Sequence, residues 1–433
     1  MTEFDFAVQR TAERVRCDLQ AQDDAWGTSG WTRRRFLAGL GMVGVAALGS
    51  QLVTTRAAYA ATPTGDERTL IVIFLRGAAD GLHILVPNSA ALGLDYLRAV
   101  RGDLVPGDAD LVPLNGGWAL NARLQPLYDQ LWSTGELAFV PAVSTPGFSR
   151  SHFQAQQFFE RGGSDTASTG WLDRVLASLG PGTTFRAVSE GDATPMSLGG
   201  PEPSITLTSI EDFTFPGWDG IRPASQEAVL QLYRGLGGTL GADVPNTIAA
   251  LDTAAQIQAA SSGSPDYPGG DFGRALKDLA GILHAEVGLQ VATVDVGGWD
   301  THTDEQNELD NHLDYAAAAL QAFLADLGPT RRQRVTVAVM TEFGRRVEMN
   351  DSGGTDHGHG SVMWLLGGGL VRSDVFGRWD ALSDATLDDG DVAGLNNPFD
   401  VLGELVQKRL GAGSLSTVFP GLSYSPIGLF TNA

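Results

Sequence analysis

The sequence predicts an α/β fold, in which a mostly parallel sheet carries helices on both of its faces. Several short runs are continuously apolar and rich in β-branched residues, which is typical of strands buried on both sides. Segments with apolar residues at helical spacing alternate with these runs along the chain. This alternation indicates a parallel sheet, because parallel neighbours need a crossover connection that is usually a helix.

Five runs are predicted to be strands. They are TLIVIFL (69–75), ELAFVPAV (136–143), LQVATVDVGG (289–298), RVTVAVMTEF (334–343) and SVMWLLGGG (361–369). Each of the first four leads into a polar turn that contains glycine. Ligands of open α/β sheets bind beyond the carboxyl ends of the strands, so these turns are the expected position of a site.

Five segments have the apolar spacing of helices, and they lie at residues 120–131, 149–163, 272–287, 303–327 and 400–410. The fourth opens with Thr303 and Gln306, which have the T-x-x-Q spacing of a capping box, and Gly328-Pro329 is expected to stop it. Residues 61–433 are predicted to form a single α/β domain. Residues from about 180 to 270 mix short apolar runs with Pro, Gly and Ser, and this region is a possible insertion or cap over the site.

Residues 1–60 have the pattern of a twin-arginine (Tat) export signal. Arg33 and Arg34 precede an uncharged stretch rich in glycine and alanine, and Ala58-Tyr59-Ala60 forms an A-x-A cleavage site. A retained membrane anchor is the alternative, but glycine and alanine make a weak membrane-spanning helix. We therefore expect the Tat translocase as a partner and cleavage that leaves no stable membrane anchor. The expected location is the periplasm, the cell envelope or the outside of the cell.

The composition excludes two classes of function. The formal net charge is −22, with 29 Lys and Arg against 51 Asp and Glu, so nucleic acid is not an expected partner. The single cysteine, Cys17, lies in the predicted signal, so the mature chain has no thiol for a disulfide or a nucleophile. Any metal would be held by nitrogen and oxygen ligands.

Histidines gather in the turns where a site is expected. Five of the seven lie there, namely His83, His152, His302, His357 and His359. Asp356, His357 and His359 fall within GGTDHGHG (353–360), where the flanking glycines leave them no helical face or core to serve. A polar loop that contains histidine by chance is the alternative, but histidine beside carboxylates in a loop favours metal ligation.

Other polar residues in the turns have both a functional and a structural interpretation. Asp80 precedes a glycine and suits a turn, Asp300 and His302 could cap the following helix, and Glu342 could pair with Arg345 or Arg346. Ser149 and Ser151 can cap the helix after the second strand, but a nucleophile at a helix start would occupy the same place. Arg150 and Arg76 could bind an anionic group.

Seven segments together resemble one family of exported bacterial proteins, DUF1501. They are LRGAADGLHILVPN, SRSHFQAQQFFERG, VDVGGWDTH, MTEFGRR, TDHGHGSVMWLLGGG, DVLGELVQKRL and STVFPG. They occur in order over nearly all of the mature chain. The family in turn resembles the alkaline phosphatase and sulfatase superfamily, which implies a mostly parallel sheet, two divalent cations and a Ser, Thr or formylglycine nucleophile at a helix start.

The resemblance implies roles for individual residues. Asp80 resembles the metal-binding aspartate that follows the first strand in those enzymes. Asp295 or Asp300, together with His302, resembles their aspartate and histidine after a middle strand. His357 or His359 resembles the metal-binding histidine that precedes a closing strand. Ser149 or Ser151 matches the place of the nucleophile. Glu342 and Phe343 stand where those enzymes carry T-x-D-H, so one histidine ligand is missing, and no C-x-P-x-R motif of a formylglycine sulfatase is present.

The sequence thus predicts an exported, metal-dependent hydrolase of phosphate or sulfate esters, acting on a small anionic ester or a polymer. One or two divalent ions (Zn, Mn, Ca or Mg) would be held by residues of the turns, which are Asp80, Asp300, His302, Glu342, His357 and His359, with Asp356 orienting a histidine. Ser151 or Ser149 would be the nucleophile. An exported binding or assembly protein with a degraded site is the alternative, because the T-x-D-H histidine is missing.

Overall fold

The structure, a computed structural model, describes residues 67–147, 149–214, 222–233, 239–260 and 265–432. The predicted signal, with its twin arginines and Cys17, lies outside these residues. The strands are β1 (Thr69–Leu75), β2 (Leu85–Pro87), β3 (Leu111–Pro113), β4 (Trp118–Asn121), β5 (Leu137–Val143), β6 (Ala187–Glu190), β7 (Ile205–Leu207), β8 (Val291–Val296), β9 (Val335–Thr341), β10 (Ser361–Gly367) and β11 (Asp374–Val375).

The α-helices have the following bounds. They are α1 (Gly81–Ile84), α2 (Leu94–Arg101), α3 (Gln125–Leu131), α4 (His152–Glu160), α5 (Trp171–Leu179), α6 (Arg222–Tyr233), α7 (Thr239–Ala260), α8 (Asp271–His284), α9 (Glu305–Arg332), α10 (Pro398–Arg409) and α11 (Leu415–Val418). No helix in the described part of the chain is both long enough and apolar enough to span a membrane.

Eight strands form one sheet in the order β11-β5-β10-β9-β1-β8-β6-β7. All neighbours in it are parallel except those of β10, which runs antiparallel to both β5 and β9. Because β10 is reversed, its first residue, Ser361, pairs with Val143 at the end of β5. The carboxyl ends of β1, β5, β8 and β9 and the start of β10 therefore lie at one edge of the sheet.

Apolar side chains cover both faces of this sheet. On one face, Ile71 and Ile73 of β1 belong to a core that includes leucines of α3, α8 and α9. On the other face, Leu70 and Val72 of the same strand pack with residues of α5 and α10. Alternate residues of one strand thus enter two separate cores, as expected for a strand buried on both sides. The predicted α/β class, with a mostly parallel sheet between two helical layers, is confirmed.

The structure corrects two local predictions. Asp304, with φ of 45° and ψ of 36°, caps α9, and its side chain makes no capping hydrogen bond, so the predicted Thr303–Gln306 capping box is wrong. The regular part of α9 does end at Gly328, which has φ of 63° and ψ of 171°. Leu120, the first residue of the predicted leucine helix, lies instead in β4 of a small sheet ordered β2-β4-β3. A short strand that leads into a helix can carry helical spacing by chance.

The region from about 180 to 270 contributes to the main sheet. β6 and β7 pair in parallel with each other, and β6 pairs with β8, so they extend the sheet to one edge. Helices α6 and α7 follow in the described parts of this region. The strands of this region therefore belong to the fold that carries the site.

Candidate metal centre

Three imidazoles and one carboxylate converge at the sheet edge defined above. The Nε2 atom of His357 lies 3.1 Å from the Nε2 of His152, 3.1 Å from the Nε2 of His302 and 3.1 Å from Oδ1 of Asp300. His302 Nε2 lies 3.1 Å from the same Asp300 oxygen, and His152 Nε2 lies 3.4 Å from Asp300 Oδ2. Each residue comes from a different turn, except that Asp300 and His302 share the turn after β8.

The opposite nitrogen of each ring faces an oxygen. His357 Nδ1 donates to the backbone carbonyl of Arg150 at 2.9 Å, and His152 Nδ1 donates to Oε1 of Glu342 at 2.8 Å. His302 Nδ1 lies 3.4 Å from Oδ1 of Asp356. A carbonyl or carboxylate can only accept, so a neutral ring in this position carries its proton on Nδ1 and its lone pair on Nε2.

This arrangement suits a bound cation. A ring nitrogen such as His357 Nε2 can make one hydrogen bond, yet three polar atoms surround it at the same distance. Nitrogen and oxygen ligands about 2.0–2.1 Å from a tetrahedral ion lie about 3.3 Å from one another. The observed separations fit that spacing. Ligand atoms of His152, Asp300 and His357 lie within 4.8 Å of one another, and these residues could hold a metal ion.

The glycines of GGTDHGHG allow the backbones around the site to come close together. A Cβ atom on Gly354 would overlap the backbone of His302, and one on Gly358 would overlap the backbone of Arg345. The loop is also tied to the turn after β9, where Gly358 N donates to the carbonyl of Gly344 at 2.8 Å. The glycines therefore bring His357 to the turns that carry the other ligands.

Glu342 lies behind His152 and fixes its ring. The Glu342 carboxylate is 2% exposed, and Oε1 accepts hydrogen bonds from His152, from Gln156 Nε2 at 3.1 Å and from the backbone of Gly77 at 2.9 Å. Burial alone would raise the pKa of Glu342, but these hydrogen bonds outweigh it and lower the pKa to about 2. The bond to Glu342 raises the pKa of His152, so a proton competes with a metal ion for His152 Nε2.

Replacing this buried carboxylate is expected to weaken metal binding. Glu342→Gln keeps the shape of the side chain but removes the charge that orients His152 and makes its ring a better ligand. We expect a loss of about 10–100-fold in zinc affinity, measured by competition with a chromophoric chelator. Asp356→Asn, at the exposed carboxylate 3.4 Å from His302, should have a smaller effect. Equal zinc affinity of the parent and Glu342→Gln would show that Glu342 does not support the site.

Arg345 forms an ion pair with Asp300 and holds its carboxylate in place. Its guanidinium is buried and donates to Asp300 Oδ1 at 2.6 Å, and it also binds the backbone carbonyls of Gly77, Ala78, Trp299 and Thr355. Burial would raise the pKa of Asp300, but the hydrogen bond and the positive charge of Arg345 lower it below its ordinary value. Asp300 is therefore ionised and fixed in position.

Three of the predicted ligands lie outside this cluster: Glu342, which supports His152 as described above, Asp80 and His359. Asp80 is 1% exposed, caps α1 and forms an ion pair with buried Arg101, whose second nitrogen lies 3.2 Å from Asp80 Oδ1. Burial would raise the pKa of Asp80, but Arg101 lowers it. His359 Nδ1 contacts Asp388 Oδ2 at 3.1 Å, on the side of the loop that faces residues 388–391. A turn position after a strand does not determine which way a side chain points, and a nearby counter-charge holds each residue away.

Glu305, which lies beside this Asp80–Arg101 pair, is expected to make the stability of the folded state depend on pH. Burial and the Asp80 carboxylate raise the pKa of Glu305 to about 8, whereas an unfolded glutamate titrates near about 4.3. Between these values the folded state holds a proton that the unfolded chain has lost. Stability should therefore fall as the pH rises through this window, by up to about 1.4 kcal/mol per pH unit.

Glu305→Gln should remove this dependence. The amide cannot ionise, and its oxygen can still accept the 2.6 Å hydrogen bond from Thr355. We expect the stability of the variant relative to the parent to increase steadily from pH 5 to pH 8, measured by urea unfolding. A stability difference that stays constant over this range would contradict the assignment.

The two predicted nucleophiles, Ser149 and Ser151, come just before His152, the first residue of α4. Ser151 caps α4 immediately before His152, and its hydroxyl makes no capping hydrogen bond. Ser149 Oγ donates to Gln154 Oε1 at 2.8 Å and accepts from the backbone of Ser151 at 3.2 Å. The hydroxyl of Ser149 is thus engaged in local hydrogen bonds, and Ser151 is the better candidate for the nucleophile.

Both predicted anion-binding arginines are already paired with carboxylates. Arg150 contacts Asp391 Oδ2 at 2.5 Å. Arg76 pairs with Glu160 and with Asp295, 2.9 Å away. Asp295 is therefore engaged away from the cluster, which leaves Asp300 as the aspartate of the middle pair. Binding of an anion by either arginine would require exchange of these partners.

Two residues of the site were not among the predicted ligands. His152 appeared among the histidines of the turns, and its position after β5 at the same sheet edge is the signal that could have identified it. Arg345 was considered only as a partner for Glu342. Its buried position under Asp300 depends on long-range packing, which no local pattern reveals.

Comparison with known proteins agrees with the family predicted from the motifs. A family model described as "Protein of unknown function (DUF1501)" matches residues 138–402. The chain belongs to the DUF1501 family. Among curated proteins none matches the chain.

Several solved structures are similar to this DUF1501 protein over most of its length. The periplasmic domain of EcEptC from Escherichia coli, in complex with Zn, has 12% identity, 84% coverage of this chain, 90% of its own and a TM-score of 0.37. The alkaline phosphatase of the Antarctic bacterium TAB5 has 12% identity, coverages of 73% and 95% and a TM-score of 0.31. The lipoteichoic acid synthase LtaP from Listeria monocytogenes has 10% identity, coverages of 79% and 79% and a TM-score of 0.32. The assignment of site residues rests on the geometry of this chain alone.

Proposed function

We propose that this protein is a metal-dependent hydrolase of phosphate or sulfate esters. The observation that carries the proposal is the convergence of His152, Asp300 and His357 at the carboxyl edge of the sheet. Each of the three side chains is held by a hydrogen bond to a residue outside this group. Its twin-arginine motif and A-x-A site support export through the Tat pathway before cleavage. The substrate would be a small anionic ester or an ester group on a polymer.

The residues of the chain would divide the chemistry between them. A divalent ion at this site would polarise the ester oxygens and lower the pKa of the nucleophile. Ser151 stands beside a ligand, at the start of the nine-residue helix α4, where backbone N–H groups stabilise an anionic ester. Its hydroxyl would attack phosphorus or sulfur as the ester oxygen leaves, and water would then release the bound group. Arg345 and Glu342 would hold the ligands in place.

A screen of aryl phosphates and aryl sulfates on the metal-loaded protein tests this proposal. We expect turnover of at least one ester class that a chelator abolishes. Ser151→Ala should lower kcat at least about 1,000-fold, and Ser149→Ala should stay within about threefold of the parent. Full activity of Ser151→Ala would assign the attack to water instead. Stoichiometric metal without turnover of any ester would exclude the hydrolase.

His302 favours a second candidate function, a metal-bearing binding or assembly protein. Its Nε2 lies 3.1 Å from both His357 Nε2 and Asp300 Oδ1, so it could complete four protein ligands. Structural zinc sites are closed by four ligands, whereas catalytic sites keep one position open. Phe343 also packs against His152 and His357, with ring centroids 5.0 and 5.1 Å away, where the superfamily carries another histidine.

His302→Ala distinguishes the two functions. In a closed site, the variant should lose about 10- to 1,000-fold in zinc affinity, because one of four ligands is gone. In an open site, zinc affinity should change little while ester hydrolysis falls, since His302 would act on the substrate beside the ion. The hydrolase proposal predicts the second result.

A further inference from the structure

A second cleft lies at the same edge of the sheet but outside the metal centre. It is formed by the ends of β6 and β8 and the first turn of α8, and it encloses about 300 Å³. Its charged lining residues are Glu190, Asp192, Asp271, Arg274 and Asp295. A cleft of about this volume is large enough for a small organic molecule.

Glu190, the last residue of β6, forms part of the floor of this cleft. The residue is 5% exposed, and neither of its carboxyl oxygens has a hydrogen-bond partner among the residues that the structure describes. Burial and the nearby carboxylate of Asp278 raise the pKa of Glu190 well above its ordinary value. A buried polar group without a partner is costly, and in a native protein it points to an occupant that would satisfy it.

The other charges of the cleft are already paired. Arg274 donates to Asp271 at 2.7 Å and to the carbonyl of Thr208 at 3.1 Å. Asp295 accepts two hydrogen bonds from Arg76, at 2.9 and 3.0 Å. Glu190 in the floor and Asp192 at the rim form no direct ion pair with a residue that the structure describes, although the charge of Arg274 acts on Glu190 from within the same cleft. With four acidic residues and one arginine in its lining, the cleft has an excess of carboxyl groups.

We propose that this cleft binds a small organic molecule through an ammonium group, with Glu190 as the buried counter-ion and Asp192 as a second contact at the rim. A bare metal ion fits less well, because the cleft is much larger than one ion. In addition, among the described residues the ligand geometry for a metal ion is found at the other site, formed by His152, Asp300 and His357. The ammonium site does not depend on the hydrolase activity.

Titration calorimetry with 1,4-diaminobutane tests the proposal, with 1,4-butanediol as the uncharged analogue of the same shape. The titration is run at about 0.15 M salt and near neutral pH, so that weak attraction to the acidic surface is screened. A chelator is present, so that metal at the other site cannot contribute. We expect saturable binding of the diamine at one site and no binding of the diol.

Three single-charge variants make the test specific. Glu190→Gln should weaken diamine binding by at least about tenfold, because a charge-assisted hydrogen bond is lost. Asp192→Asn lies on the surface, so it should leave the fold intact and weaken diamine binding by about threefold. Glu308→Gln removes an exposed charge elsewhere and should leave the affinity unchanged. Binding that is absent in the parent, equal for the diol, or unaffected by both cleft variants would overturn the proposal.

Discussion

His357→Ala is expected to abolish both metal binding and ester hydrolysis. His357 Nε2 lies 3.1 Å from the proposed ligand atoms of His152 and Asp300 and also 3.1 Å from His302 Nε2, so its removal opens the centre of the cluster. We expect bound metal to fall from about one ion per chain to less than about a tenth, and kcat/KM to fall at least about 1,000-fold. Elemental analysis of the purified protein and an ester assay measure the two effects.

His359→Ala provides a matched control, because it lies two residues away in the same loop. Its ring contacts Asp388 rather than the cluster, so the variant should keep its metal and most of its activity. Circular dichroism of both variants establishes that the fold is retained. Loss of metal from His359→Ala together with retention by His357→Ala would show that the ligands have been assigned to the wrong side of the loop.

Arg345→Met is expected to cause the largest loss of stability. The guanidinium satisfies four backbone carbonyls as well as Asp300, and a thioether can replace none of these hydrogen bonds. Buried groups left without partners cost about 1–3 kcal/mol each, so we expect a loss of about 3–5 kcal/mol or more. Urea unfolding measures it, and zinc affinity should fall in parallel because Asp300 loses its support.

Arg98→Met is the control for removal of an arginine. Arg98 pairs with Asp108 on the surface, and its loss should cost no more than about 1 kcal/mol. If Arg345→Met does not fold, Arg345→Lys can be used instead, because it keeps the charge but not the forked set of hydrogen-bond donors. The stability of Arg345→Lys should lie between that of the parent and that of an unfolded variant. Equal stability of Arg345→Lys, Arg98→Met and the parent would contradict a structural role for Arg345.

The main sheet could be predicted because its strands carry their signal locally. β1, β5, β8, β9 and β10 lie in mostly apolar runs, and the first four of them lead into polar turns. The reversed direction of β10 could not be predicted, since an apolar run has no direction of its own. β6 and β7 are three or four residues long, too short to stand out among Pro, Gly and Ser.

The candidate site was predicted in part. Histidines in turns after strands indicated the edge of the sheet at which the structure brings His302 and His357 together. The sequence could not distinguish ligands from neighbours, because that depends on side-chain direction. Asp80 points to Arg101, and His152, at the first turn of α4, completes the cluster instead. Glu342 supports His152 from behind, a role that depends on its 2.8 Å contact across 190 residues of sequence.

The most direct test of the metal centre is to locate the ion. Crystals of the protein, grown with zinc, would be measured on both sides of the zinc absorption edge. The account predicts one anomalous peak per chain, about 2.0–2.2 Å from Nε2 of His152, Nε2 of His357 and an oxygen of Asp300. Absence of a peak there, or a peak at Asp80 or His359 instead, would contradict it.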